Sequence, residues 1–161
     1  MKMENKKIEI MNKRDQKLKI LEAGMARQKE LIHSFEKRID ELRKSGKHLN
    51  DTQYDAQQAS FNDETNEIID LLTGQLNFVV DEMNVMRTLT NELVQSIKMG
   101  AVVVTDRMKF FVSVSLEEFE VDGENYFGIS AKAPIYDKMR GLYAGDSFEM
   151  NGAKYQIKEV F

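Results

Sequence analysis

"GKHLNDTQYDA", residues 46–56, is where a long helical pattern breaks, and the reading of the fold turns on what this break is. On its N-terminal side a 3-4 spacing runs from Met11 through Leu18, Leu21, Met25, Ile32, Phe35, Ile39 and Leu42, interrupted by Arg14 and Gln28. Apolar residues in one heptad register over more than four heptads form a coiled-coil seam. On the other side Tyr54, Gln58, Phe61, Thr65, Ile68 and Leu72 continue the spacing, and after a one-residue slip it restarts at Leu76, Val79, Met83, Met86, Thr90, Leu93 and Ile97. The slip has the form of a stutter, which locally unwinds a supercoil.

Folding the chain at the break sets one seam against the other. Leu42 then faces Tyr54, Phe35 faces Phe61, Met25 faces Leu72, Leu18 faces Val79 and Met11 faces Met86, an antiparallel hairpin of constant register. Charge supports the pairing: residues 1–50 carry 14 Lys/Arg against 8 Asp/Glu, and residues 51–100 carry 2 against 9. A basic first block also suits a nucleic-acid arm, but here its cations alternate with an apolar stripe and have an acidic complement next door. Ser45 and Gly46 are suited to ending the first helix, and Asn50 with Gln53 three residues on to capping the second. The arm would reach about 60 Å; Gly24 and Gly74, nearly opposite each other, are either a flexible point midway or tolerated imperfections costing about 1 kcal/mol each relative to Ala.

Near Gly100 the period changes to two. AVVVT, FFVSVS, YFGIS, SFEM and YQIKEVF are short β-branched or aromatic runs bounded by Gly, Asp and Asn, the pattern of antiparallel strands. VDGEN is a hairpin turn. APIYDKMRGLYAG reads as a short helix, with Pro134 in its first turn and Gly141 at its end. The chain is therefore expected to be α+β: a coiled-coil hairpin over residues 1–99, its tip at about 45–51, and a small sheet domain over 100–161. Some sixty residues bury a marginal core alone, so the base of the arm should pack against the sheet.

The chemistry classes are narrow. There is no Cys, and His33 and His48 are too few for an ordinary zinc site. No apolar run is long enough to span a bilayer, and the polar N-terminus is unlike a signal peptide, so a cytoplasmic protein is expected. No nucleophile–base set, phosphate loop or dinucleotide fingerprint is present, which argues against an independent enzyme and against a bound cofactor.

The stretch "ISAKAPIYDKMRGLYAGDSFEMNGAKYQIKEVF", residues 129–161, resembles the end of the bacterial Gre transcription elongation (transcript-cleavage) factors. Their strand ending in Ser, Ser-Pro turn, short helix, Val-Gly-Asp and Tyr-x-Ile strand correspond in order to Ile129-Ser130, Ala133-Pro134-Ile135, Met139-Arg140-Gly141, Ala144-Gly145-Asp146 and Tyr155-Gln156-Ile157. "MGAVVVTD", residues 99–106, resembles the start of the same domain, and the hairpin has the family's length and topology. The resemblance implies an FKBP-like C-terminal domain that docks on bacterial RNA polymerase at its secondary channel, through Ala133, Pro134, Ile135, Tyr136, Met139 and Leu142. Tyr136 and Met139 are the expected exposed contacts; Ile135 and Leu142 serve equally well as core.

In Gre factors two acids of the tip pattern Asp-Leu-Ser-Glu-Asn-Ala-Glu-Tyr-Asp-Ala help hold a catalytic Mg²⁺ while the polymerase hydrolyses backtracked RNA. Hard Mg²⁺ takes oxygen ligands, so that chemistry needs carboxylates at the tip. Aligned on Gly46 and Tyr54-Asp55-Ala56, the first acid falls on Lys47 and the second on Asn50. A lysine repels the ion, so cleavage stimulation is not expected. Three readings of the remaining tip stay open. Asp51 and Asp55, four apart, share a helix face and could meet a transient Mg²⁺; they could equally be ordinary first-turn acids complementing the helix dipole; or Lys47 and His48 could contact the RNA 3′ end or polymerase acids.

The resemblance thus implies a factor regulating elongation or initiation, active as a monomer. The alternative is a coiled-coil adaptor, for which a dimer satisfies the same pairing. FKBP-like prolyl isomerase activity is disfavoured because the active enzymes floor their pocket with Trp and this chain has none.

Overall fold

The computed structural model describes the backbone of residues 1–49 and 56–161 and the side chains of residues 1–46 and 60–161. Two long helices, α1 (Lys2–Leu49) and α2 (Ala56–Arg87), precede β1 (Val102–Thr105), β2 (Lys109–Ser113), β3 (Leu116–Val121), β4 (Glu124–Ser130), α3 (Pro134–Met139), β5 (Ser147–Met150) and β6 (Ala153–Val160). The fold is α+β, a helical hairpin followed by a small sheet with one short helix. Among the described residues no helix is long and apolar enough to cross a membrane. The chain forms two compact units, residues 28–83 and residues 1–27 with 84–161.

In the first unit α1 and α2 pack antiparallel through Ile39, Thr65, Val79 and Met83, all buried. The register differs from the one the seams suggested. Gln28 Nε2 donates to Val79 O at 3.2 Å and to Glu82 Oε2 at 2.9 Å, where the expected pairing placed Gln28 beside residues 68 and 69. Leu42, Arg43 and Gly46 line a cleft with Asn62, Thr65 and Ile69. The displacement is about eleven residues, or three turns of a straight helix, a shift that periodicity alone does not detect; Thr65, Val79 and Met83 of the expected seam are buried, whereas Phe61, Ile68, Met11 and Leu18, expected in the same seam, are exposed.

The longer register needs a longer α1. The helix runs through Ser45 and Gly46, which do not end it as expected, to Leu49. Ser45 Oγ donates to Glu41 O at 3.0 Å, a bond within the helix rather than a terminus. The Asn50–Gln53 cap and Tyr54 lie outside the described residues.

In the second unit the strands order β3-β4-β2-β1-β6-β5. The pairings are antiparallel as expected except β2 with β4, which run parallel because β4 enters between β3 and β2. Asp122 and Gly123, at φ 52° and 81°, close the β3–β4 hairpin predicted from VDGEN; both central residues of a type I′ turn need positive φ. Successive side chains point to opposite faces, and both faces are covered. On one, Val102, Phe111 and Tyr126 pack with Ile20, Leu21 and Met86 from the helices. On the other, Val103, Phe110 and Val112 pack with Ile97 and Met139. The base of the arm does complete the core, as the size of the sheet domain required.

Two glycines decide close approaches. A Cβ on Gly128 would stand 2.6 Å from Leu116 Cβ and 2.7 Å from Val114 O. One on Gly24 would meet Met86 Cε at 2.9 Å, whereas one on Gly74 would meet nothing. With the register displaced, Gly24 faces Met86 rather than Gly74, and a hinge from the two glycines falls away.

The helical spacing read as far as Ile97 also stops early. After Arg87, Thr88 N and Oγ1 both turn back onto Val85 O, and Leu89 N bonds Met86 O. A threonine hydroxyl that competes for backbone carbonyls ends the helix here. Beyond it the chain is irregular up to β1, tied to the α3 turn where Ile97 N donates to Leu142 O at 2.9 Å and Gly141 N to Ile97 O at 2.8 Å.

Candidate functional site: the α3 turn and the hairpin tip

The C-terminal pieces quoted from the sequence come together as one hydrogen-bonded surface. Lys132 N donates to Ser130 Oγ and Ala133 N to Ser130 O, which turns the chain out of β4. Pro134 starts α3 where its missing N–H costs nothing. Arg140 N bonds Tyr136 O, and Gly141, at φ +77°, releases the chain toward Leu142. Asp146 then fixes the next turn: its Oδ2 accepts from Tyr143 N at 2.8 Å, and its own N donates to Tyr143 O. Gln156 Nε2 donates to Gly145 O, Gly145 N to Ile157 O and Ile157 N to Asp146 O. The Gly-Asp turn and the Tyr155-Gln156-Ile157 strand therefore hold each other in place.

The surface differs from expectation at both residues expected to be exposed contacts, since Tyr136 is half-buried against the core and Met139 is buried outright. Met139 is fully buried, 0% exposed, beneath the sheet with Ile97 and Ile157, so it is core and cannot be a contact. Helical spacing explains this: Met139 lies four residues from Ile135, on the inward face of a helix whose outward face is Asp137 and Lys138. Ala133, Ile135, Tyr136 and Leu142 are half-buried against the same core, and Pro134 is exposed. Tyr143 is the exposed aromatic, at 56%, held by a bridge to Ser96. Sequence reasoning missed it because a single aromatic in a Gly-flanked turn has no period.

At the base of α1, Lys17 is only 1% exposed and donates through Nζ to Glu92 O. Burial, and then the positive charge of Lys98, push its pKa down from 10.5 to about 8, against an opposing pull from Glu92. In the hairpin, Gln28 is buried with Oε1 lacking a hydrogen-bond partner.

The tip residues Lys47, His48, Asn50, Asp51 and Asp55 lie outside the residues whose side chains are described. Among the described residues no cluster of three or more acidic, His or Cys side chains could hold a metal ion.

No family profile and no curated protein matches the sequence. Among solved structures, GreA factor homolog 1 (Gfh1) of Thermus thermophilus is similar over 86% of this chain and 95% of its own, at 18% identity and a TM-score of 0.36. A second structure, of the transcription factor Gfh1, covers 86% and 93% at 17% identity and a TM-score of 0.32.

Proposed function

We propose that this chain is a Gre-like factor that binds bacterial RNA polymerase at the secondary channel and regulates elongation without stimulating RNA cleavage. The observation that carries the reading is the ordered C-terminal series, from Ser130 to Ile157, folded into a single braced surface with Pro134, Tyr136 and Tyr143 at or near solvent. Exposed aromatic and Pro side chains on a rigid turn are the kind of anchor that protein interfaces use. With that partner the protein would act in the bacterial cytoplasm.

At the tip, Lys47 and Asn50 stand where the family's metal-holding acids would be. A tip carrying Lys47 and His48 would act by occupying the channel and touching the RNA 3′ end, with no metal of its own. The protein is then no enzyme, and any RNA hydrolysis belongs to the polymerase.

The test is pulldown with core polymerase, followed by RNA cleavage in a backtracked elongation complex. Binding with no stimulated cleavage is expected, and failure to bind would end the reading. The adaptor alternative is favoured by one observation, the large apolar residues exposed along α2.

A further inference from the structure

The hairpin covers only one of two apolar seams on α2. Its inner seam, with Thr65, Val79 and Met83, is buried. A second runs along the solvent side: Phe61, Ile68, Leu71 and Phe78, spaced by seven, three and seven residues, with Leu71 64% and Phe78 61% exposed. Leu31, Phe35 and Gly74 extend it into a cleft of about 580 Å³. Side chains at a and d spacing form a helix-binding face, and one this apolar rarely stands uncovered.

Charge specifies what covers it. From residue 56 to residue 86 there is no Lys or Arg. Asp63, Glu64, Glu67, Asp70 and Asp81 flank the seam, all exposed and without an ion pair among the described residues. The complement is a basic amphipathic helix.

The chain contains one. α1 has 48 residues and α2 has 32, and Met86, next to the end of α2, sits against Gly24. The first turns of α1 therefore lack a helix beside them. They carry seven Lys/Arg against three acids over residues 1–19; Lys17 is buried and Lys13 and Lys19 pair with Glu159 and Asp122, which leaves Lys2, Lys6, Lys7 and Arg14 as the exposed cations of these turns. They also expose Ile8, Met11 and Leu18 in the same a/d spacing, Met11 at 60%, with Lys7 and Arg14 at flanking positions.

We propose that copies of this chain associate, the outer seam of α2 on one copy seating on the Ile8–Met11–Leu18 stripe of another. The contact joins two different surfaces, so it is head-to-tail. It stands on apolar spacing and charge within this chain and does not depend on the polymerase reading.

Analytical ultracentrifugation of the full chain tests it. Reversible association that rises with protein concentration and weakens in high salt is expected. Leu71→Glu/Phe78→Glu and, separately, Lys7→Glu/Arg14→Glu should each weaken association about tenfold or more. All four positions are exposed, so circular dichroism should be unchanged. Mixing the Lys7→Glu/Arg14→Glu chain with a Glu67→Lys/Asp70→Lys chain should restore it. A monomer at every concentration overturns the proposal, as does association indifferent to Leu71 and Phe78. Loss with the α2 variant but not with the α1 variant overturns the assigned occupant, since α2 would then be pairing with another α2. Polymerase pulldown of the same variants is scored separately, so failure of either reading is visible by itself.

Discussion

Replacing Lys17 by Met should make the stability of the protein respond differently to alkaline pH. Lys17 is buried, and its folded pKa of about 8 lies below the 10.5 of the unfolded chain. Below pH 8 both states hold the proton, and the folded state carries the full cost of a buried charge. Between pH 8 and 10.5 the folded state sheds the proton while the unfolded state keeps it, so stability rises with pH across this window. The whole shift corresponds to about 3 kcal/mol, and screening through the exposed Glu92 and Lys98 reduces the usable part to about 1–2 kcal/mol. Methionine preserves the aliphatic stem but removes the charge and the bond to Glu92 O. The variant should therefore match the wild type near pH 7, where lost penalty and lost hydrogen bond offset each other. By pH 10 it should fall behind by about 1–2 kcal/mol, or roughly 3–6 °C in Tm for a chain of this length. Thermal melts of both proteins at pH 7, 8.5 and 10 measure the difference, in which the other lysines cancel. A difference that stays flat, or moves in favour of the variant, would refute the argument.

Gly128→Ala should destabilise by about 2–4 kcal/mol in urea melts, since its Cβ would overlap Leu116 and the Val114 carbonyl, whereas Gly74→Ala should stabilise by about 0.5–1 kcal/mol through helix propensity alone. Gln28→Leu, which removes a buried amide with an unpartnered oxygen, should raise stability by about 1 kcal/mol while loosening the choice of hairpin register, read by disulfide trapping between engineered cysteines. Tyr143→Ala should weaken polymerase pulldown with little change in Tm, while Met139→Ala should lower stability by about 2–4 kcal/mol, reflecting exposed and buried positions. Lys47→Asp/Asn50→Glu should gain stimulated RNA cleavage in backtracked complexes, and Asp51→Ala/Asp55→Ala in the natural tip should change nothing; loss of a wild-type cleavage activity in the latter would mean those aspartates serve the metal.

Local chemistry alone determined a good deal of this protein. Two helical seams, a change to period two near Gly100, the Asp122-Gly123 turn, and Pro134 and Gly141 around α3 are each set by a few neighbouring residues. They were legible because backbone geometry and side-chain spacing act over one or two turns of chain. The candidate site was legible as an ordered set of short motifs, but not as a surface. Tertiary structure decided the rest. The seams repeat, so spacing alone does not separate two registers about eleven residues apart; the length of α1 and the Gln28 contacts with Val79 and Glu82 do. Burial of Met139, exposure of Tyr143, the tight approach at Gly24 and the parallel β2–β4 pair all depend on which distant element lies opposite. Sequence carries the period of an element; only packing against a particular neighbour fixes its phase.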